Sequence, residues 1–295
     1  KDFAESMPQV FELLKTKGVK VFVANNWEGI SGIEPVEYEF RNLPDYHFCK
    51  ARNINPKLAE NFYKELDRLR TYLFEPSESP IVSPIVVAYK ATAPFIRVCG
   101  DFTWLNKHIV MPIIPIPHVL NSLAKIANFK YFIDVDVTNA FHQIRLGPIT
   151  SRNLSIITPV GTFKPKFMLE GTSPATGILH TTMVNIFKVF EEWTIVLFDN
   201  ILILANSHED AYQKLEKFLN RCIEKNLFLK FEKSWLGVQE VSFFGYVCRH
   251  KEYQLSKERT QSILDIPFPT NIKQMQSFLG SCLFFKSFIP NYSHH

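Results

Sequence analysis

The sequence predicts an α+β fold in which helices back a small antiparallel sheet. Two observations lead there. Helical and strand patterns succeed each other without regular βαβ alternation, and two distant strand-like stretches carry acids among aliphatic residues. The first stretch is Tyr131-Phe-Ile-Asp134-Val-Asp136-Val137. The second, Trp193 to Leu204, sets an Asp199-Asn200 pair between two aliphatic runs, as a tight hairpin does, because Asp and Asn tolerate the positive φ of short turns. A chain of 295 residues that is 46% hydrophobic can bury a large core in more than one subdomain.

In chain order, residues 1–56 read as loop-rich, with Pro35, Pro44 and Pro56 marking extended connections. A helix is expected from about Pro56 to Leu73, with Leu58, Phe62, Leu66 and Leu69 on one face. A strand pair follows at Ile85–Lys90 and Phe95–Cys99. Proline keeps Met111–Pro117 extended, and an amphipathic helix covers His118 to Ala127. After the first acidic strand a helix begins near Thr138. Ser155–Met168 is a hairpin turning at Val160-Gly161-Thr162, and a long helix runs from Ser173 to Glu191. Behind the second acidic stretch comes a helix from Glu209 to Glu224, with Ser207 or His208 at its start and acids in its first turn, where they suit the dipole. Short strands are expected at Phe228–Phe231, Val241–Cys248 and Tyr253–Leu255. Pro267 and Pro269 then precede a helical region from Asn271 to Phe288.

Composition narrows the function classes. No apolar run reaches membrane-spanning length uninterrupted, and Lys1-Asp-Phe-Ala-Glu-Ser is neither a signal peptide nor an initiator sequence, so a piece of a longer precursor is expected. Five scattered cysteines form no CxxC pair, which argues for free thiols in a reducing compartment, without disulfides or zinc. A net charge of +4 permits a polyanionic partner without demanding one.

The acids are the candidates for chemistry. The strand period of two puts Asp134 and Asp136 on one face and Ile133, Val135 and Val137 on the other. A buried carboxylate is costly unless paired or metal-bound. Two readings stand on spacing alone: each aspartate pairs with a Lys or Arg at the sheet rim, or Asp136 meets Asp199 and the two hold divalent cations. Two Mg²⁺ ions about 3.5–4 Å apart activate an attacking hydroxyl and neutralise a leaving phosphate oxygen. Asp199-Asn200 also has the plainer reading of a turn and nothing more.

Several motifs in order carry a family resemblance: Phe132…Asp136-Val-Thr-Asn-Ala-Phe141-His-Gln-Ile144, Phe198-Asp199-Asn200-Ile-Leu-Ile203, Val241-Ser-Phe-Phe-Gly245-Tyr246, and Ser277-Phe-Leu-Gly280…Phe288-Ile-Pro290-Asn291-Tyr-Ser293. From about Ile81 to Ser293 the chain resembles the reverse transcriptase of gypsy-type LTR retrotransposons and their retroviral relatives. That resemblance implies a right-hand polymerase fold of fingers, palm and thumb, with a small antiparallel palm sheet backed by helices. It divides the chain into an N-terminal extension (1–55), fingers with the start of the palm (56–130), palm with a returning fingers segment at about 145–168 (131–248), and thumb (249–295). It implies two Mg²⁺ ions, with Mn²⁺ able to substitute, on Asp136 and Asp199, and makes Asp136, Asp199 and Asn200 the catalytic set.

By the same resemblance, Lys90, Arg97, Asn139, Ala140 and Phe141 bind the dNTP: Lys90 and Arg97 grip the triphosphate, Asn139 and Ala140 offer backbone N–H groups, and Phe141 excludes a 2′-hydroxyl. Phe243, Phe244, Gly245 and Tyr246 match the primer grip, and Ser277–Ser293 the thumb. The partners implied are a primed RNA or DNA template and dNTPs, and no membrane. Ribonuclease H, protease and integrase belong elsewhere in a parent polyprotein, and the location implied is intracellular and cytoplasmic, in a virus-like particle.

The departures define the alternatives. The family's Tyr-x-Asp-Asp stands here as Leu197-Phe198-Asp199-Asn200, one charge fewer. Asp134 is an extra acid, better suited to a supporting or ion-paired role than to direct ligation, since same-face neighbours lie about 6.6–6.8 Å apart. Glu170 replaces the family's Gln or Phe, and near a triphosphate it should point away or contact a cation. The sequence thus leads to a reverse transcriptase domain, an RNA-directed DNA polymerase weakened by Asn200. The alternative is a degenerate or domesticated copy that keeps the fold as a nucleic-acid or protein-binding module. An RNA-dependent RNA polymerase fits poorly with a bulky residue at Phe141.

Overall fold

Phe3, Met7, Val10 and Leu13 recur at helical spacing, and all four are buried. They lie in α1 (Asp2–Ser6) and α2 (Gln9–Leu13) and the turn between; a π-helical turn (Leu14–Gly18) then leads to α3 (Val19–Phe22). The expected loop-rich start is therefore corrected for residues 2–22, which are helical. The prolines that suggested loops all come later, and between residues 27 and 58 the chain does run without a helix or a strand longer than a single bridge. The computed structural model describes residues 2–22, 27–91, 93–115 and 118–286. The Ile116-Pro117 end of the extended run, and the Ser287–Ser293 part of the expected thumb and helix, lie outside the described residues.

The elements continue with α4 (Ala59–Arg70), β1 (Phe74–Pro76), β2 (Ile85–Tyr89), β3 (Ile96–Gly100), α5 (Val119–Ala127), β4 (Tyr131–Val137), α6 (Pro148–Asn153), β5 (Ile156–Thr158) and β6 (Gly161–Pro165). After them come α7 (Ala175–Phe187), β7 (Thr194–Leu197), β8 (Asn200–Ala205), α8 (His208–Glu224), β9 (Leu229–Val238), β10 (Val241–Phe243), β11 (Tyr246–Arg249), β12 (Glu252–Leu255), α9 (Lys257–Leu264) and α10 (Ile272–Phe284). Most boundaries fall within a few residues of expectation. The helix expected near Thr138 is only a 3₁₀ turn, Ala140–Gln143, and the hairpin expected to turn at Val160-Gly161-Thr162 turns one residue earlier, since Thr158 pairs with Gly161. α9 was not foreseen; its core-facing stripe is missing, and only the Ser256 side chain, accepting from the Arg259 N–H, marks its start.

The chain forms two compact units, Lys1–Ile116 with Tyr131–Val238, and Pro117–Lys130 with Gln239–His295. In the first, four antiparallel strands run in the order β7-β8-β4-β9, beside a three-stranded sheet β1-β6-β5 and the β2-β3 pair. Ile133, Val135 and Val137 of β4 share a core with Leu215, Phe218 and Leu219 of α8. The second unit packs α5 against the β10-β11-β12 sheet, with the Lys251 N–H donating to the Ala127 carbonyl at 2.7 Å. No described helix is long and apolar enough to cross a membrane.

Candidate active site

The period of two holds along β4: Ile133, Val135 and Val137 are buried, while Asp134 and Asp136 take the half-buried face. Past Val137 the chain turns through Asn139, whose φ of 40° is one an Asn tolerates, into the 3₁₀ turn that presents Ala140 and Phe141. Gln143 fastens this turn to the start of β9. Its amide donates to the carbonyls of Thr138 and Phe228, the latter at 3.0 Å, and accepts from the Phe228 N–H at 2.8 Å. It is only 1% exposed, so Gln143→Ala leaves the Phe228 N–H and the Thr138 carbonyl short of a partner, while the Phe228 carbonyl keeps the Thr138 N–H. The expected cost is about 2–3 kcal/mol, read as a lower urea midpoint at unchanged slope.

The hairpin between β7 and β8 differs from expectation by one residue. Leu197 pairs with Asn200, so the two-residue loop is Phe198-Asp199 and Asn200 already belongs to β8. The positive φ falls on Phe198, at 55°, and not on the Asp-Asn pair. Pairing sets this: Ile201–Ala205 are all buried, and the register that buries them fixes where the loop must fall.

Asn200 is the register partner of Asp136, and the Asp199 carbonyl accepts from the Val137 N–H at 2.8 Å. The two acids far apart in sequence are thereby neighbours. Asn200 itself donates its amide to the Asp134 carboxylate at 2.8 Å, so these two support each other. Asp134 has that amide as its partner where an ion pair was also conceivable.

Opposite Asp136 on β9 stands Lys230, but the ladder is irregular: two steps along β4, Asp134 to Asp136, face the five from Trp235 back to Lys230. The bulge carries Lys233, whose ammonium lies 3.4 Å from Asp136 Oδ2. Burial pushes the Asp199 carboxyl up from the usual range, the charge of Asp136 adds to that, and Lys233 opposes it. Burial also raises Asp134, partly offset by its bond from Asn200. Two carboxylates that repel each other beside one ammonium make a place where further cations are favoured. No group of three or more His, Cys, Asp or Glu side chains suited to a metal occurs among the described residues, so the candidate donors are the two carboxylates Asp136 and Asp199. Mg²⁺ commonly takes one or two protein carboxylates and completes its shell with phosphate and water, so this donor set fits it.

Asp136 and Asp199 line a cleft of about 610 Å³. Lys90 and Arg97 reach it from the β2-β3 pair, together with Asn139, Ala140 and Phe141 from the turn after β4. Of the expected residues, these seven are brought together. Asn200 is not among the lining residues, and Phe243, Phe244, Gly245 and Tyr246 belong to the other unit. There Phe243 and Tyr246 pair across β10 and β11, and Phe244 and Gly245 form the turn with φ of 51° and 82°. Glu170 lines the cleft and is ion-paired with Arg97, as an acid there had to be.

The α4 wall was not foreseen. Arg68 grips Glu65 through two bonds of 2.8 and 2.7 Å and lies over the Tyr72 ring, whose hydroxyl meets His142 Nδ1 at 3.2 Å. Burial, with the charges of Arg68 and Arg97, brings the His142 pKa down to about 4. Lys233 was missed as well, because a bulge leaves no periodic trace.

With this geometry in place, the comparisons are specific. The family model for reverse transcriptase (RNA-dependent DNA polymerase) matches residues 88–248. The retrovirus-related Pol polyprotein from transposon opus of Drosophila melanogaster is 26% identical over 272 residues, covering 90% of this chain and 27% of that protein. The transposon Tf2-7 polyprotein of Schizosaccharomyces pombe is 26% identical over 265 residues, covering 88% of this chain and 20% of its own length. The chain thus spans a minor part of the curated relatives it matches.

Among solved structures, the foamy viral protease-reverse transcriptase dRH in complex with ds DNA aligns at a TM-score of 0.82 and 21% identity, covering 98% of this chain and 51% of that one. The foamy viral protease-reverse transcriptase in complex with RNA/DNA hybrid aligns at 0.77 and 21%, covering 98% and 39%. At that identity the likeness is one of fold, and it agrees with the expected right-hand polymerase architecture.

Proposed function

This chain belongs to the reverse transcriptase (RNA-dependent DNA polymerase) family, and from that premise we propose that it copies a primed RNA or DNA template into DNA by two-metal nucleotidyl transfer. The observation that carries the reading is the placement of Asp136 and Asp199 side by side in a cleft that also holds Lys90 and Arg97. Both aspartates would hold Mg²⁺, or Mn²⁺ in its place. When bound, the ions activate the primer 3′-hydroxyl and neutralise charge on the phosphate oxygens.

The chain's own side chains do the rest. Lys90 and Arg97 steady the triphosphate, Arg97 exchanging its Glu170 partner for phosphate oxygens. Asn139 and Ala140 offer backbone N–H groups, and Phe141 lies where a 2′-hydroxyl would fall. Asn200 acts by fixing Asp134, which leaves Asp136 and Asp199 as the two metal-holding acids. Phe243, Phe244, Gly245 and Tyr246 would hold the primer. Residues 56–130 serve as fingers, 131–248 as palm with the returning segment near 145–168, and 249–295 as thumb, behind an N-terminal extension of 1–55. Because the curated relatives are polyproteins, ribonuclease H, protease and integrase are assigned to other parts of a parent polyprotein, and the working place to the cytoplasm within a virus-like particle.

Primer extension on RNA and DNA templates tests this, with Mg²⁺ or Mn²⁺ and with dNTPs beside rNTPs. The expected outcome is dNTP-dependent extension in Mg²⁺, with rNTPs used at least about a hundredfold less well because they clash at Phe141. Binding of the primed template with no extension under either metal would instead favour a binding module built on the same fold.

A further inference from the structure

Phe198 holds a backbone conformation that a bulky side chain adopts only under constraint, φ 55°, and it does so in the residue before Asp199. Pairing puts Phe198 in the loop, and a buried side chain meets it there. The Phe198 N–H donates to Nδ1 of His180 at 3.2 Å, and the two rings meet at 5.3 Å between centroids. His180 is 2% exposed on α7, the helix that packs on β7, and shares its buried face with Leu179, Met183 and Phe187. A polar ring at such a position needs a reason. Accepting at Nδ1 requires the neutral imidazole with its proton on Nε2, and burial favours that neutral form. On the other side of the loop, the Asp199 carbonyl is tied to the Val137 N–H. The loop is therefore fastened at two points, one on α7 and one on β4.

We propose that His180 is a positioning residue for the Phe198-Asp199 loop. By accepting from the Phe198 N–H it keeps Phe198 left-handed, and so holds the Asp199 carboxylate on the Asp136 side. This rests on the polymerase reading above. Without the acceptor, the peptide before Phe198 is free to turn over and relax the strain, carrying Asp199 out of register with Asp136. His180 touches neither substrate nor metal in this account; it acts only through the backbone.

The test pairs His180→Phe, which keeps a ring but no acceptor, with His180→Asn, whose Oδ1 stands where Nδ1 stood. Mn²⁺ binding is measured by electron paramagnetic resonance, and primer extension by kcat, KM for dNTP and half-saturating Mg²⁺. His180→Phe is expected to weaken Mn²⁺ binding about tenfold and to lower kcat by about ten- to a hundredfold, with KM for dNTP little changed, as losses of ligand-orienting partners do. His180→Asn is expected within about twofold of the parent on each measure, because it restores the acceptor.

A third chain, His180→Phe with Phe198→Gly, removes the strain as well, and its kcat should recover relative to His180→Phe alone. Equal Mn²⁺ affinity in the parent and His180→Phe overturns the proposal, as does His180→Asn behaving like His180→Phe. If His180→Phe does not fold, the comparison of His180→Asn with the parent decides by the same criterion. A parent chain that binds Mn²⁺ but extends no primer would overturn the polymerase reading, and the binding comparison would still decide the role of His180.

Discussion

Asp136→Asn is expected to abolish primer extension to within the limits of most assays, a loss on the order of a thousandfold or more. The substitution keeps the shape of the side chain on β4 and removes one of the two neighbouring carboxylates proposed to hold the metal, the cleft's other acids, Glu65 and Glu170, being paired with Arg68 and Arg97. Metal-assisted charge stabilisation is worth several kcal/mol, and each ~1.4 kcal/mol is a decade of rate, so losing ~4 kcal/mol gives the stated factor. Folding should be nearly unaffected. The ion pair lost is between Asp136 and a Lys233 that is itself 61% exposed, and such pairs contribute at most about 1 kcal/mol. Single-turnover extension alongside a thermal melt measures both effects. More than a tenth of parental activity with an unchanged melt would remove Asp136 from the reaction.

Phe218→Ala is expected to cost about 3–5 kcal/mol of stability, the largest effect of any substitution considered. The ring is fully buried on α8 and stacks on Phe187 of α7, 4.7 Å between centroids and 18° between planes. Truncation gives up that contact and leaves a hole between two helices that cannot close without moving both. Since α8 also packs on β4 and β8, loosening it loosens the strands that carry Asp136 and Asn200. Urea unfolding followed by far-UV circular dichroism gives the number, and a midpoint change worth less than about 1 kcal/mol would show that the helices tolerate the gap.

How far the sequence could be read depended on how long each pattern ran. α4, α8 and β4 were legible because their apolar residues repeat over enough turns or steps to define a face. The short helices α1 to α3 span only four or five residues each, too few for a period to stand out. The hairpin was found but misplaced, since Asp and Asn are the residues that best accept a positive φ and so drew the turn onto themselves. The actual loop puts that conformation on Phe198, and only strand pairing with β4 could reveal it. Asp136, Asp199 and the cleft cations were found through motif order, while Lys233, Arg68 and His180 were missed. Each of those three reaches the site through a bulge, a neighbouring helix or a backbone bond, and none leaves a signature along the chain.

The N-terminal helices have a practical bearing on how the molecule can be divided. Phe3, Val10 and Leu13 sit in the same apolar interior as Leu66, Phe74 and Phe218, and β1 supplies β6 with its outer neighbour, Phe74 opposite Pro165. An expression fragment begun at Ile85, the start of β2, would leave β6 with a bare edge and strip one wall from the interior. Such a truncation should be insoluble even though Asp136 and Asp199 are both still encoded in it.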